Sequence, residues 1–465
     1  LKVKIKIKKK KEVNSVKSSR LIKRILAIIV IFGLVLSLAA CKKKAAEQPQ
    51  QSSQNKNIEE KITLTFTHMF TNDGSAISDG FYNALNEYKK AHPNVTIKQE
   101  ALSHDTYETK IKTLAAGGEL PDVFVIKGSM VDPFYNNGQI APLNDALDSD
   151  MAWKNSFVEG AFDDFKRGDK ILGIPIQVQP TSLIFYNREI FKEAGINEFP
   201  KDWNEFKDAV KKLKAKGYIP ITAGNKGKWL VESCILSTLG DRFTGTDWFV
   251  SVRDRKGATF TDPEFVNALR AIDELVKMKA FNSDINSLDN NQQRTLYYNK
   301  KAAMFFEGGW AISLVTNEAP KDVLDATELA IIPPVPGGKG LPNTVSGGAG
   351  WAFQINAKLD GSKKNAALAL LKALSSDAYS RPMLEKGGFP ATKVTNYDES
   401  KLSTLAKKYQ QLAKNIKYVP VYDVQLSPGV IEVMNSGLQD MIIGTITPEK
   451  LAQKIQQEYE REASK

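Results

Sequence analysis

The chain has 465 residues, 42% of them apolar and 25% charged, with a formal net charge of +11. That length exceeds what one hydrophobic core usually serves, so two lobes are expected, and only two cysteines exclude a disulfide-stapled scaffold. The basicity does not mark a nucleic-acid binder: residues 1–40 hold eleven Lys or Arg against one Glu, which leaves the remainder at +1, and no basic stretch with interleaved aromatics follows.

Residues 1–24 are basic, residues 25–36 are uncharged and apolar, and small residues lead to Cys41. This is the order of an export signal with its cleavage site, and the run is shorter than the roughly 20 residues of a spanning helix. Leu38-Ala39-Ala40-Cys41 resembles the bacterial lipobox, which implies that Cys41 is acylated and becomes the first mature residue. Residues 41–60 are polar and low in complexity and read as a disordered tether.

From Lys61 the pattern alternates strand and helix. Residues 62–67 alternate at period two. Phe81, Leu85 and Tyr88 share a helix face that ends before Pro93, and residues 95–97 read as a short strand. Tyr107, Ile111 and Leu114 mark a second helix closed by Gly117 and Gly118, and residues 122–126 a buried strand. Helical crossovers between strands imply a parallel sheet, with ligands beyond the carboxyl ends of the strands. His68 and Phe70 stand at one such end, Lys127 and Ser129 at another. Pro121 and Asp122 read as structural, the aspartate bonding nearby backbone.

Asp202 and Glu205 resemble a capping box before Phe206, Val210 and Leu213. Asp262-Pro263 opens a helix with Phe265, Leu269, Ile272 and Val276 on one side, and Thr447-Pro448 opens the last, with Leu451, Ile455 and Tyr459 spaced by four. Residues 331–340 are too rich in Pro and Gly for regular structure. Cys234, in an apolar neighbourhood, reads as a small buried residue. The three histidines have no metal spacing, and neither a Gly-x-Ser-x-Gly elbow nor a phosphate-binding glycine loop is present.

Six segments in order resemble the family 1 extracellular solute-binding proteins, the maltose-binding-protein-like group that serves ABC importers: GELPDVF at 118–124, KILGIPIQVQPTSLIFYN at 170–187, PKDWNEF at 200–206, KAAMFFEGGW at 301–310, GGAGWAFQI at 347–355 and GGFP at 387–390. The resemblance implies an α/β, two-lobed periplasmic-binding-protein-like fold (type II), with hinged lobes and three chain crossings near 178, 334 and 386. Residues 1–40 are then the lipoprotein signal peptide and 41–60 the tether. Residues 61–178 and 335–386 form the first lobe, and 179–334 and 387–465 the second. The implied function is a lipid-anchored receptor, a monomer without cofactor or metal. It captures a carbohydrate at the outer face of a bacterial membrane, of Gram-positive type, and delivers it to an ABC permease and its ATPase. A secreted carbohydrate-active hydrolase and a binder of a non-sugar solute stand as alternatives.

The candidate ligand residues are His68, Phe70, Lys127, Ser129, Gln179, Trp229, Glu307, Gly308, Trp310 and Gly348. An indole covers the C–H face of a sugar while amides and carboxylates bond its hydroxyl rim, which selects Trp310, with Trp229 where relatives place a second aromatic. Trp310 beside Phe305 and Phe306 also fits a core residue. Gln179, at the first crossing, offers both donor and acceptor. The family's maltodextrin binders tend to be acidic there, so the neutral amide argues against that specificity. Glu307 reads as a hydroxyl acceptor or an ion-pair partner. Gly308 and Gly348 read as points of close backbone approach.

Overall fold

The computed structural model describes residues 60–464; the export signal, Cys41 and the tether through residue 59 lie outside the described residues. Strands Ile62–His68, Val95–Ala101 and Val123–Lys127 lie side by side and parallel, with Ile62–His68 in the middle. The second is longer than the three residues expected, because residues 98–101 stay paired with the first strand. Two later segments complete the sheet antiparallel: Trp351–Ile355 against Val123–Lys127, then Ile174–Pro175 at the edge. Helix Ala76–Ala91 covers this sheet with Phe81, Leu85 and Tyr88, all buried. Helix His104–Gly117 buries Tyr107 and Ile111 and stops at Gly118, whose φ of 69° suits a residue without Cβ. Asp122 has the structural role its position suggests: one carboxylate oxygen accepts from the Thr65 backbone N–H at 2.8 Å and from its hydroxyl at 2.9 Å.

A second sheet runs in the order Thr327–Ala330, Leu183–Asn187, Ala302–Glu307, Ile219–Thr222. Ala302–Glu307 is buried at every residue, as a strand covered on both faces must be. Met304 and Phe306 enter one core, while Phe305 enters the other and stacks on Phe185 at 4.7 Å. Helix Trp203–Ala215 is capped by Asp202, but the Glu205 carboxylate accepts from the Lys201 N–H, so only half of a capping box forms. In helix Pro263–Lys277, Leu275 takes the core place expected for Val276. Asp262 does not cap that helix; its carboxylate holds Thr259 and the Trp248 indole. Thr447 caps Pro448–Ala463, which buries Leu451, Ile455 and Tyr459, and Cys234 is fully buried in the same core.

Between the two sheets lies a third of three short strands, Lys417–Val419, Thr344–Gly348 and Gln179–Pro180. The chain passes from the first sheet to the second through Gln179–Pro180 and returns through Thr344–Gly348. Residues 331–340 form no helix or strand. The buried Arg242 guanidinium ties this segment down by donating to the carbonyls of Ile332, Leu341 and Thr344.

His68 and Phe70, expected at an open strand end, lie in the core instead. Both are buried among Phe66, Phe81 and Phe353, with His68 4.6 Å from the Phe81 ring. The strand end is covered by helix Ala76–Ala91, which the strand pattern alone does not reveal. Burial drives the His68 imidazole down to about 4 from its ordinary 6.5, against a hydrogen bond to Gln99 that works to raise it. The unfolded chain therefore takes up a proton below pH 6.5 that the folded state refuses until about pH 4. Stability is full above that window and falls as pH drops through it. Urea unfolding should show a His68 contribution on the order of 3 kcal/mol lost across the window. In His68→Gln that pH-dependent part should disappear.

Candidate functional site

The seam between the lobes collects aromatic and charged side chains from both. From the first lobe, the start of helix His104–Gly117 supplies His104, Asp105 and Glu108, and strand Val123–Lys127 delivers Lys127 at its carboxyl end. From the second lobe come Trp229, Glu232, Trp310 and Asp423. Trp229 and Trp310 meet edge to face with ring centroids 6.0 Å apart. The Trp229 indole N–H donates across the seam to Asp105 Oδ1 at 3.2 Å. His104 lies between Trp229, at 5.6 Å, and Trp351, at 5.4 Å, so the aromatic surface runs from one lobe to the other.

Trp310 is set by its neighbours. It follows Gly308-Gly309 at the start of helix Ala311–Glu318, half-buried. A Cβ on Gly308 would stand 2.1 Å from the Trp310 ring, and one on Gly309 2.6 Å from Phe389. These glycines therefore make room for side chains of the protein. Of the two readings of Glu307, the structure shows the ion pair, with Arg294. Glu307 is fully buried, and its oxygens accept from Arg294 Nη1 at 2.7 Å, Asn290 Nδ2 at 2.9 Å, Gln293 Nε2 at 3.2 Å and the Trp310 indole at 2.9 Å. A carboxylate so occupied has little capacity left for a ligand hydroxyl; it orients the Trp310 ring.

Lys127 is buried and paired, where a free donor was expected. Its ammonium lies 2.5 Å from Asp423 Oδ2, 3.6 Å from Glu108 Oε2 and 5.7 Å from the Trp351 ring centroid. Burial alone would lower the Lys127 pKa; Asp423 and Glu108 more than offset that and hold it above its ordinary value. Burial would likewise raise Glu108, but Lys127 and Lys112 hold it down to about 2. Ser129 is half-buried in the turn Gly128–Met130.

Gln179 and Gly348 belong to the strand pair that joins the lobes. Gln179 is buried, and its side-chain carbonyl oxygen has no partner among the described residues. Gly348, at φ 151°, leaves space for Asp164, whose carboxylate would lie 2.8 Å from an added Cβ. Its close approach is to the protein. Beside these strands the chain makes a π-helical turn, Glu232–Leu236. The carbonyls of Ser233 and Cys234 there accept from the hydroxyls of Thr181 and Ser182 at 3.2 and 2.7 Å. Such turns are rare and concentrate at functional sites.

Of the residues singled out in the sequence, the fold brings Trp229, Trp310, Lys127 and Gln179 to the seam or its joining strands. Sequence reasoning missed Asp105, Glu108, Asp164, Glu232, Trp351 and Asp423. Trp351 was within reach, since it stands in the segment 347–355 already singled out. Asp423 had no local signal, because its partner Lys127 is 296 residues away. A mainly apolar cavity of about 390 Å³ lies beside the joining strand Gln179–Pro180, with Val178, Phe389 and Leu402 in its walls and Thr392, Lys393, Tyr409 and Gln410 as its polar lining.

Residues 72–380 match the family model of the bacterial extracellular solute-binding proteins. The chain is 24% identical over 358 residues to a multiple sugar-binding protein of Streptococcus mutans, covering 72% of this chain and 74% of that protein. It is 23% identical over 373 residues to a diacetylchitobiose-binding protein of Streptomyces coelicolor, covering 79% and 81%. A structure from work on xylan utilization by the thermophilic bacterium Caldanaerobius polysaccharolyticus superposes with a TM-score of 0.76 at 28% identity, over 85% of this chain and 99% of that one. A chitin oligosaccharide-binding protein superposes with a TM-score of 0.79 at 24% identity, over 87% and 99%.

Removing one partner of the Lys127–Asp423 pair leaves a buried charge unpaired. Lys127→Met should lower the unfolding free energy by roughly 3–5 kcal/mol. Lys127→Met/Asp423→Leu should recover most of that loss, which denaturant titration of the four proteins in the cycle measures directly.

Proposed function

The chain belongs to the bacterial extracellular solute-binding proteins, and from that premise we propose that it is a receptor that captures a carbohydrate between its lobes and hands it to an ABC permease driven by a cytoplasmic ATPase. The observation that carries this reading is the pair Trp229 and Trp310 at the seam, 6.0 Å apart and ringed by carboxylates and amides. Indole faces suit the C–H face of a sugar, and the polar rim suits its hydroxyls. The relatives named for sugars and for chitin oligosaccharides support the same ligand class.

Within this reading the lobes divide near residues 178, 334 and 386, and capture works by hinge closure, driven by the ligand's preference for the closed state. Of the ligand residues, Trp229, Trp310 and Gln179 would touch the sugar, Lys127 and Ser129 would border it, and Glu307, Gly308 and Gly348 would support it. The receptor would be a monomer held at the outer face of the membrane by acyl chains on Cys41, in a bacterium of Gram-positive type.

Two experiments test this. Trp310→Ala should weaken binding of a cognate sugar by roughly 2–4 kcal/mol in calorimetry, the range of a buried aromatic anchor. Its melting temperature without ligand should fall only moderately, since Glu307 keeps its Arg294, Asn290 and Gln293 donors. A large drop in melting temperature with unchanged affinity in the folded fraction would assign Trp310 to the core. For the anchor, Cys41→Ser should accumulate as unprocessed precursor that takes up no labelled fatty acid; equal labelling of variant and wild type would refute lipidation.

A further inference from the structure

The charges at the seam are unequal, and the imbalance bears on which sugars enter. Asp164, on the first-lobe side, is nine-tenths buried; its carboxylate accepts the Gly350 N–H at 2.9 Å and the Gln425 amide, across the seam, at 3.1 Å. Glu232, on the second-lobe side, is fully buried in the π-helical turn and, among the described residues, accepts from the hydroxyls of Ser233 and Ser237, at 3.0 and 2.7 Å. Neither makes an ion pair among the described residues. The cations that touch the seam residues are matched: Lys127 by Asp423 and Glu108, Lys112 by Glu108, Lys228 by Glu432, Arg294 by Glu307, and Arg167, beside Asp164, by Asp132; Lys226, in the loop before Trp229, is exposed to solvent. An independent observation points the same way. The Gln179 side-chain carbonyl, on the strand that joins the lobes, is buried and unpartnered, 3.2 Å from where a Cβ on Gly309 would stand beside Trp310. As an acceptor it can be satisfied only by a group that donates, such as a ligand hydroxyl or ammonium or an ordered water.

We propose that the seam selects sugars whose rim consists of hydroxyl or ammonium donors and rejects those bearing a carboxylate or phosphate, with Glu232 and Asp164 as the residues that enforce the rejection. The inference rests on the carbohydrate-receptor reading and narrows its ligand class to neutral and amino sugars. An anion entering this seam finds no free buried cation and loses its water, and it can be admitted only while Glu232 and Asp164 stay protonated, so it costs affinity wherever either carboxyl is ionised. An ammonium meets the opposite situation and lets those carboxyls ionise. Burial raises the pKa of both, and the charge of Asp423 raises Glu232 further, so each already resists negative charge.

The test is calorimetry on the folded receptor with matched series. These are glucose, galactose, mannose and xylose with their β-1,4-linked oligomers, and, where they exist, the corresponding uronic acids, 6-phosphates and 2-amino sugars. At least one neutral series should bind. Its uronic acid and phosphate should bind at least 100-fold more weakly, and its amino counterpart within tenfold or tighter, with protons released to the buffer. A uronic acid or phosphosugar within tenfold of its neutral partner would overturn the proposal. Silence of every series would instead overturn the carbohydrate reading on which it rests. Glu232→Gln and Asp164→Asn, with folding checked by thermal melting, should each narrow the neutral-to-uronate ratio at least tenfold. An unchanged ratio in folded variants would remove these residues as the cause. The wild-type series decides the selectivity even if a variant fails to fold.

Discussion

Lys127 has to be paired. It stands at the carboxyl end of a strand buried along its whole length, so its ammonium cannot reach bulk water, and an unpaired buried ammonium costs more than the fold can spare. The nearest compensation is Asp423, in the short helix Tyr422–Gln425, next to Tyr422 of the second core. One electrostatic requirement thus ties the first lobe to an element packed on the second. The surrounding carboxyls, Glu108 and Glu232, inherit their own protonation behaviour from it, Glu108 pulled down by the ammonium and Glu232 pushed up by burial and by Asp423.

A second chain of constraints sets the aromatic platform. Ala302–Glu307 is covered on both faces, so Glu307 ends the strand fully buried and must be satisfied in place. Arg294, Asn290 and Gln293 of one helix do this, and the Trp310 indole completes the set. Because the indole N–H is bound to that carboxylate, the ring lies over Gly308, where no side chain is possible. Trp310 is therefore placed by a buried polar network, with its exposed part left to meet Trp229. Such networks are worth more as positioning devices than as net stability.

The joining strands obey the same economy of polar groups. The π-helical turn at Glu232–Leu236 frees backbone carbonyls, and the hydroxyls of Thr181, Ser182 and Ser346 satisfy them. The strands that connect the lobes are thus bonded to the turn that carries Glu232. Hydroxyl contacts of this kind can re-form at small cost, which suits a hinge better than interlocked apolar packing would.

Much of the fold was legible in the residues themselves. Period two in 62–67, the spacing of Phe81, Leu85 and Tyr88, and Gly118 after a helix are local signals, because strand and helix geometry are local properties of the backbone. The parallel arrangement followed from alternating elements, and the motif order identified the family. Trp229, Trp310, Lys127 and Gln179 were identifiable as site candidates, since residue chemistry and position at a strand end or a glycine turn are also local. What tertiary structure alone decided is which groups each side chain meets. His68 at a strand end is core because a helix covers it; Glu307 is a positioning carboxylate because Arg294, Asn290 and Gln293 hold it while it accepts the Trp310 indole; and Asp423 is the partner of Lys127 across 296 residues. Burial and pairing are non-local: they depend on which distant segments pack together, and that packing determines whether a charge at the seam is free to meet a ligand.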